Sequence, residues 1–324
     1  MMADMLTTIP LMDLVDGGSV ELFEMRKANA EALHTARSSS VPSLMLGPLD
    51  SLSRRWLHRA RTPYAGEIDA IANGMQTGTW FLNLLMEWGC SSGVAADPEH
   101  SGSRILRTLD WPVLAFGREV AVARMAGSAG DFYNVTWPGF VGALTVMAPG
   151  RFSAAINQAP IVQCGMLPRS FNWGVNRTKF LASREIPPTH LLRQVCETPI
   201  AIPAFFILSG MNAVEGCVIE RLENRSFVHD APSAIANHWL SKSLRGRARG
   251  IDSQRRHRLM NGLCRIAKGG FDWLIEPLLN ADTRLAVVMN AAQGSLLVRG
   301  FEPEGLATEI FDLSAVESSI EQPA

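Results

Sequence analysis

The chain has 324 residues, of which 47% are apolar and 19% charged, with a formal net charge of −1; this is the balance of a globular protein with a large core. Acidic and basic residues are intermixed, so charge gives no argument for nucleic acid or an anionic membrane as partner. The one basic run, from Arg245 to Arg258, reads as a solvated loop and helix face.

Five cysteines, Cys90, Cys164, Cys196, Cys217 and Cys264, are scattered without a CxxC or a Cys/His cluster. No metal and no cofactor are therefore expected, and a reducing compartment fits the thiols best. The N-terminus carries Asp4, Asp13 and Asp16 and no basic-then-apolar leader, which reads as a chain without a signal peptide. The longest apolar stretch, around 200–208, is about half of a transmembrane helix and contains a proline. The expected location is cytoplasmic.

In chain order, apolar residues recur at helical spacing over about 11–36 and again over 63–87. The stripe Ala65, Ile68, Ile71, Ala72 and Met75 is the clearest of these. Beyond Cys90 the texture changes to short apolar runs at 94–96, 105–109, 120–123, 141–147 and 154–156, separated by glycine-bearing turns. Helix is expected again over 178–214, a hairpin over 215–228, a basic helix over 253–268, and strands at 284–291 and 294–299. Helix, strands, helices, strands is an α+β order, with stacked sheets between helical outer layers.

The chemically specific stretch runs from Glu87 to Pro112. It places Cys90 at the start of one strand and Arg107-Thr-Leu-Asp110 at the end of the next. If the two strands pair as a hairpin, Arg107 and Asp110 return beside Cys90. A guanidinium there favours the thiolate, and a carboxylate can orient a hydrogen-bonding neighbour. On these residues alone, a buried cysteine beside a surface Arg–Asp pair is an equally open reading.

This stretch resembles the cysteine N-terminal-nucleophile hydrolases, above all the acid ceramidase and N-acylethanolamine acid amidase branch, with bile-salt hydrolase and penicillin V acylase more distant. Further segments match in the same order: 62–72, 144–158 around Asn157, Glu215-Gly-Cys-Val-Ile-Glu-Arg221, Ala236-Asn237-His-Trp, and Asp252-Ser-Gln-Arg255-Arg256. Ala236 stands where those proteins carry a threonine. The likeness spans roughly 60 to 300 and implies a four-layer αββα catalytic core over 90–324. Residues 1–89 are then a helical leader packed on it.

The resemblance also implies a mechanism. Cutting between Gly89 and Cys90 would make Cys90 an N-terminal nucleophile whose α-amino group, with a pKa near 7.7–8.0, moves the proton. Cys90 would form a thioester with the acyl group of an N-acyl amide, a fatty acyl amide by the branch resembled, and water would release it. Arg107 would steady the thiolate and Asp110 the amine. Asn157 and Asn237 would donate to the oxyanion, and Arg255 would be the late arginine, with Arg256 permitted by the same spacing. His229 and His238 read as structural.

Trp80, Phe81, Leu84, Met86 and Trp88 fit an acyl groove or an ordinary core helix, and Trp111 could narrow such a groove. The cleaved pieces are expected to stay associated, with further self-association left open. An acyltransferase on the same framework and an uncut, non-catalytic binding protein are the other readings.

Overall fold

In the computed structural model the described residues are 6–14, 18–60, 62–84, 89–160, 188–198, 200 and 202–320. Ahead of Cys90 lie strand β1 (Leu11–Asp13) and helices α1 (Gly18–Met25), α2 (Lys27–Ser38), α3 (Ser43–Arg59), α4 (Ala65–Gly74) and α5 (Thr79–Leu84). Helices cover most of 18–84, where helical spacing is read over 18–36 and from 63, and residues 85–87 lie outside the described residues. At 11–13 the expected helix is absent: those residues add a parallel strand to β4 (Ala121–Met125), Leu11 opposite Val122.

Strands β2 (Gly89–Ala96), β3 (Ser103–Asp110), β12 (Thr283–Asn290) and β13 (Ser295–Glu302) form the middle of one sheet, edged by β11 (Ser233–Ile235) and β14 (Gly305–Leu306). β15 (Phe311–Asp312) also pairs with β13. The second sheet runs β1, β4, β5 (Phe132–Thr136), β6 (Thr145–Ala148), β7 (Phe152–Gln158), β8 (Ala204–Ser209), β9 (Gly216–Arg221), β10 (Ser226–Asp230). Helices α6 (Pro188–Glu197), α7 (Ser253–Ile266) and α8 (Leu313–Ile320) complete the described elements.

Period-two alternation divides the first sheet into two faces. Cys90, Val94, Ile105, Leu109, Val287 and Met289 join the main core with β7 and β8 of the facing sheet. Ala95, Leu106, Ala286 and Val288 point the other way, into a smaller core with Met260 and Cys264 of α7. Gly93 lets that helix settle, since a Cβ there would stand 2.7 Å from the Cys264 Cβ.

Two further expectations change. Residues 204–209, placed in a helical region, are strand β8: six consecutive buried residues between β7 and β9, which show no period because both faces are covered. The expected strand at 141–147 begins only at Thr145. Ahead of it, Val141 gives its N–H to the Asn83 side chain, and the Leu144 carbonyl accepts from Arg107. The hairpin expected over 215–228 is present as β9–β10, Ser226 opposite Arg221.

The leader is fastened to the rest at several points. Arg26 and Asn29 reach Glu119, and Asn83 donates to Gly139. Thr7 forms a parallel bridge with Thr308, giving its N–H to Ala307 and accepting from Glu309, each at 3.0 Å. No helix among the described residues is long and apolar enough to cross a membrane.

Candidate active site

The β2–β3 register sets Cys90 opposite Leu109, Ser92 opposite Arg107 and Gly89 opposite Asp110. Opposed residues share a face, so Cys90, Ser92 and Arg107 point between the sheets while Ser91 and Asp110 point toward α7. The expected hairpin thus forms, and its two charged residues approach Cys90 from opposite faces.

On the inner face, Arg107 Nη2 lies 3.6 Å from Cys90 Sγ and donates to the Ile156 carbonyl at 2.8 Å. Its Nη1 donates to Leu144 O. Asn157 comes from β7 and accepts from the Ser92 hydroxyl at 2.8 Å. Its Nδ2 leans on the carbonyls of Ile235 and Ala236, at 3.2 and 3.4 Å.

On the outer face, Arg256 is the hub. Its Nη1 donates to Cys90 O at 2.5 Å and to Ser91 Oγ at 2.8 Å, and its Nη2 to Asn237 Oδ1 at 2.9 Å. Asn237 Oδ1 also accepts the Cys90 N–H at 2.8 Å, while Nδ2 donates to Gln158 O at 2.8 Å. Two donors converging on one atom fix which way this amide faces. Asn237 therefore turns its oxygen, not its N–H, toward the Cys90 backbone. Asp110 accepts from the Thr283 hydroxyl through Oδ1 at 3.0 Å, and Oδ2 faces Arg256 Nη1 at 3.3 Å without a well-formed hydrogen bond.

Arg255 does not reach this cluster. The buried side of α7 is Ser253, Arg256, Met260 and Cys264, a stripe at helical spacing that leaves Arg255 in solvent. His229 pairs with the buried Glu220 carboxylate at 2.9 Å. That carboxylate also takes the N–H groups of Leu240 and Ser241 and so anchors the loop after Asn237. Ser253 Oγ accepts the Asn237 N–H at 2.8 Å and sits 2.8 Å from His238 Nδ1. Serines 91, 92 and 253, Gln158 and Thr283 are parts of the site that sequence reasoning passed over. Ser91 and Ser92 were readable from strand alternation next to Cys90; the others carry no local signal.

Cys90, Arg107, Asn157, Asn237 and Arg256 are fully buried, and Asp110 nearly so. Burial pushes the Cys90 thiol up to about 11; Arg107 pulls the other way and Asp110 adds to the rise. The expectation that Arg107 lowers this thiol thus gives the right sign for one contribution and not for the net effect, because desolvation is larger. Burial likewise raises the Asp110 carboxyl, with Arg256 opposing it. His238 is held down to about 4 by burial, then by His257 and Arg256.

Of the apolar residues ahead of the expected cut, Trp80 is buried against His58, with ring centroids 5.2 Å apart. Met86 and Trp88, like Cys164, lie outside the described residues. Trp111 packs 4.5 Å from Phe116 and edge-on to Trp137. Among the described residues no group of His, Cys, Asp and Glu is arranged to hold a metal.

No family model matches the chain, and no curated protein does. Solved structures do. A Caenorhabditis elegans N-acylethanolamine-hydrolyzing acid amidase ortholog superposes with a TM-score of 0.50 at 16% identity, covering 69% of this chain and 100% of that one. Looser superpositions are found with penicillin V acylase from Agrobacterium tumefaciens (0.45, 12% identity, 72% and 90% covered). A conjugated bile acid hydrolase variant from Clostridium perfringens gives 0.45 at 10% identity, with 69% and 93% covered. At these identities the likeness is one of fold: the chain has the two-sheet α+β architecture of the N-terminal-nucleophile hydrolases.

Proposed function

We propose that the protein is a self-processing amide hydrolase acting on N-acyl amides through Cys90. The observation that carries this reading is convergence on one residue. Arg107 faces the Cys90 sulfur, Asn237 its backbone nitrogen and Arg256 its carbonyl oxygen, with Asp110 beside Gly89. A structural cysteine needs none of these.

In the first reaction, Cys90 Sγ attacks the Gly89 carbonyl and the acyl group moves from nitrogen to sulfur. Water then cleaves the thioester, leaving residues 1–89 with a new carboxylate and Cys90 with a free α-amino group. Asn237 Oδ1, which already accepts from that nitrogen, and the underused Asp110 Oδ2 hold the amine. In the second reaction the amine takes the thiol proton as sulfur attacks the substrate carbonyl, and passes it to the leaving amine. Water releases the acyl group.

Arg107 steadies the sulfur's negative charge. Asn157 supplies an N–H to the oxyanion, a contribution of roughly 3–4 kcal/mol. Arg256 takes the place of the late arginine. Residues 1–89 remain as a subunit fastened to the core. The fatty character of the acyl group rests on the branch resembled.

Full burial of Cys90 and its raised pKa in the continuous chain favour a second reading, an uncut binding protein. Intact mass under denaturing conditions separates the two. Processing gives pieces of about 10 and about 26 kDa from the 35.4 kDa chain, the larger beginning at Cys90. The Cys90→Ala variant stays whole. A wild type that never divides removes the α-amino group from the mechanism and with it the hydrolase.

A further inference from the structure

A small cavity of about 20 Å³, of which Cys90 is not a lining residue, lies between α2, α5 and the β5–β6 connection, walled by Leu33, Phe116, Trp137 and Phe140 and reached by His34 and Arg37. Its volume suits one water-sized occupant. Arg37 is buried, and no carboxylate lies within ion-pair distance of it among the described residues. Its Nη2 donates to the Leu82 carbonyl, and its guanidinium stacks over Trp111 and Phe116, 4.9 and 5.9 Å from the ring centroids.

His34 is also buried, and neither ring nitrogen has a hydrogen-bond partner. The other polar side chains at the cavity are already used. Asn83 gives its N–H groups to Thr79 O and Gly139 O and accepts from Val141, and Thr79 donates to Gln76 O. No carboxylate lines the cavity.

A buried cation without a counter-ion is costly, and so is a buried imidazole with two idle nitrogens. Burial alone holds Arg37 down to about 9, which still leaves it a cation at neutral pH. Burial and then Arg37 hold His34 below its ordinary value against the opposing pull of the Asp50 carboxylate, which lies outside the cavity wall, so the ring is neutral and carries one N–H to donate. Two donors of net positive charge therefore meet at a space of one-atom size with apolar walls.

We propose that the Arg37–His34 cavity is a binding site for a single monatomic anion, chloride under ordinary conditions. The ion would neutralise Arg37, accept from His34, and tie the leader helices α2 and α5 to the 137–140 connection. The site would be a structural one, outside the hydrolase reading and tested without reference to activity.

The test is thermal unfolding of the full chain at constant ionic strength, with sodium chloride exchanged stepwise for sodium gluconate, whose anion is too large for the cavity. Wild type should show a rise that grows with the logarithm of chloride above the dissociation constant, roughly 1–2 °C at a few times that constant. The rise should vanish in Arg37→Met, shrink in His34→Phe and persist in Arg55→Met, whose arginine is solvent-exposed. Should Arg37→Met fail to fold, wild-type crystals grown in bromide decide the matter by an anomalous peak beside the Arg37 guanidinium. No chloride-specific shift in wild type, an equal shift in Arg37→Met, or no bromide peak at Arg37 would overturn the site.

Discussion

Arg256 and Asp110 meet behind the Gly89–Cys90 bond, Nη1 to Oδ2 at 3.3 Å, on the face of the sheet opposite to the cysteine side chain. Cys90 is thus held from both sides, by Arg107 at its sulfur and by Arg256 at its backbone. This arrangement separates Arg256 from its neighbour. Arg256→Met leaves the buried Asp110 unpaired and should cost about 3–5 kcal/mol, with processing lost. Arg255→Met should stay within about 0.5 kcal/mol and still divide. Urea midpoints and intact mass on the two variants read both effects.

The backbone around the bond is packed closely. A Cβ at position 89 would stand 3.3 Å from Asp110 Cβ and Oδ2 and 3.5 Å from the Gly250 Cα. One at 250 would meet Arg256 Nη2 at 2.8 Å, on a backbone with φ of +66° that side chains resist. Gly250→Ala should therefore destabilise by about 1–2 kcal/mol from the backbone alone and displace Arg256. Gly89→Ala should slow division with a smaller loss of stability. A time course of fragment appearance after synthesis distinguishes them; equal rates in all three proteins would show that this crowding is irrelevant.

Much of this geometry was legible in the residues. Cys90 and Arg107 share a face because both lie on paired strands at matching parity, and parity follows from sequence once the hairpin is accepted. Arg256 was not separable from Arg255, because choosing between them requires knowing which side of α7 meets the sheet; Met260 and Cys264 at helical spacing from Arg256 carried that information. Strand β8 was hidden because burial on both faces erases alternation. Asn237 was placed at the site, but the direction of its amide depends on two donors from distant parts of the chain.

His238 gives a pH dependence. Its folded pKa of about 4 lies below the ordinary 6.5, so the folded state resists protonation that the unfolded chain accepts. Between pH 6.5 and about 4 the unfolded state binds more protons, and stability should fall as pH falls through that window. His238 Nδ1 also lies 2.8 Å from the Ser253 hydroxyl, whose oxygen accepts the Asn237 N–H, so its titration bears on the support of the site. In His238→Asn the slope of urea midpoint against pH should flatten there. An unchanged slope would mean that His238 is solvated when folded.

The Ser92 hydroxyl fixes the oxygen of Asn157, and this separates a donor from its support. If Asn157 serves the oxyanion, Asn157→Ala should lower kcat on an N-acyl amide about 10²–10³-fold. Ser92→Ala, which only loosens the amide, should lower it by roughly fivefold, given that one ordinary hydrogen bond is worth about 1 kcal/mol. Steady-state kinetics on the processed protein would check the order; a larger loss at Ser92 would make the hydroxyl itself the donor.

The first residues of the chain touch both sheets: Thr7 bridges to Thr308 at the end of one, and Leu11–Asp13 joins β4 at the edge of the other. This clasp makes the order of events matter. Its two docking partners, β4 and Thr308, come from distant parts of the chain, so the clasp closes only once both have been put in place. After a division at Gly89 the leader would have no covalent tie to the rest and would be held by the apolar packing of Leu22, Phe23, Leu33, Ile68 and Trp80 together with these hydrogen bonds. A divided protein would then melt into two chains whose reunion depends on concentration, so its melting temperature would rise with protein concentration where that of the undivided chain would not.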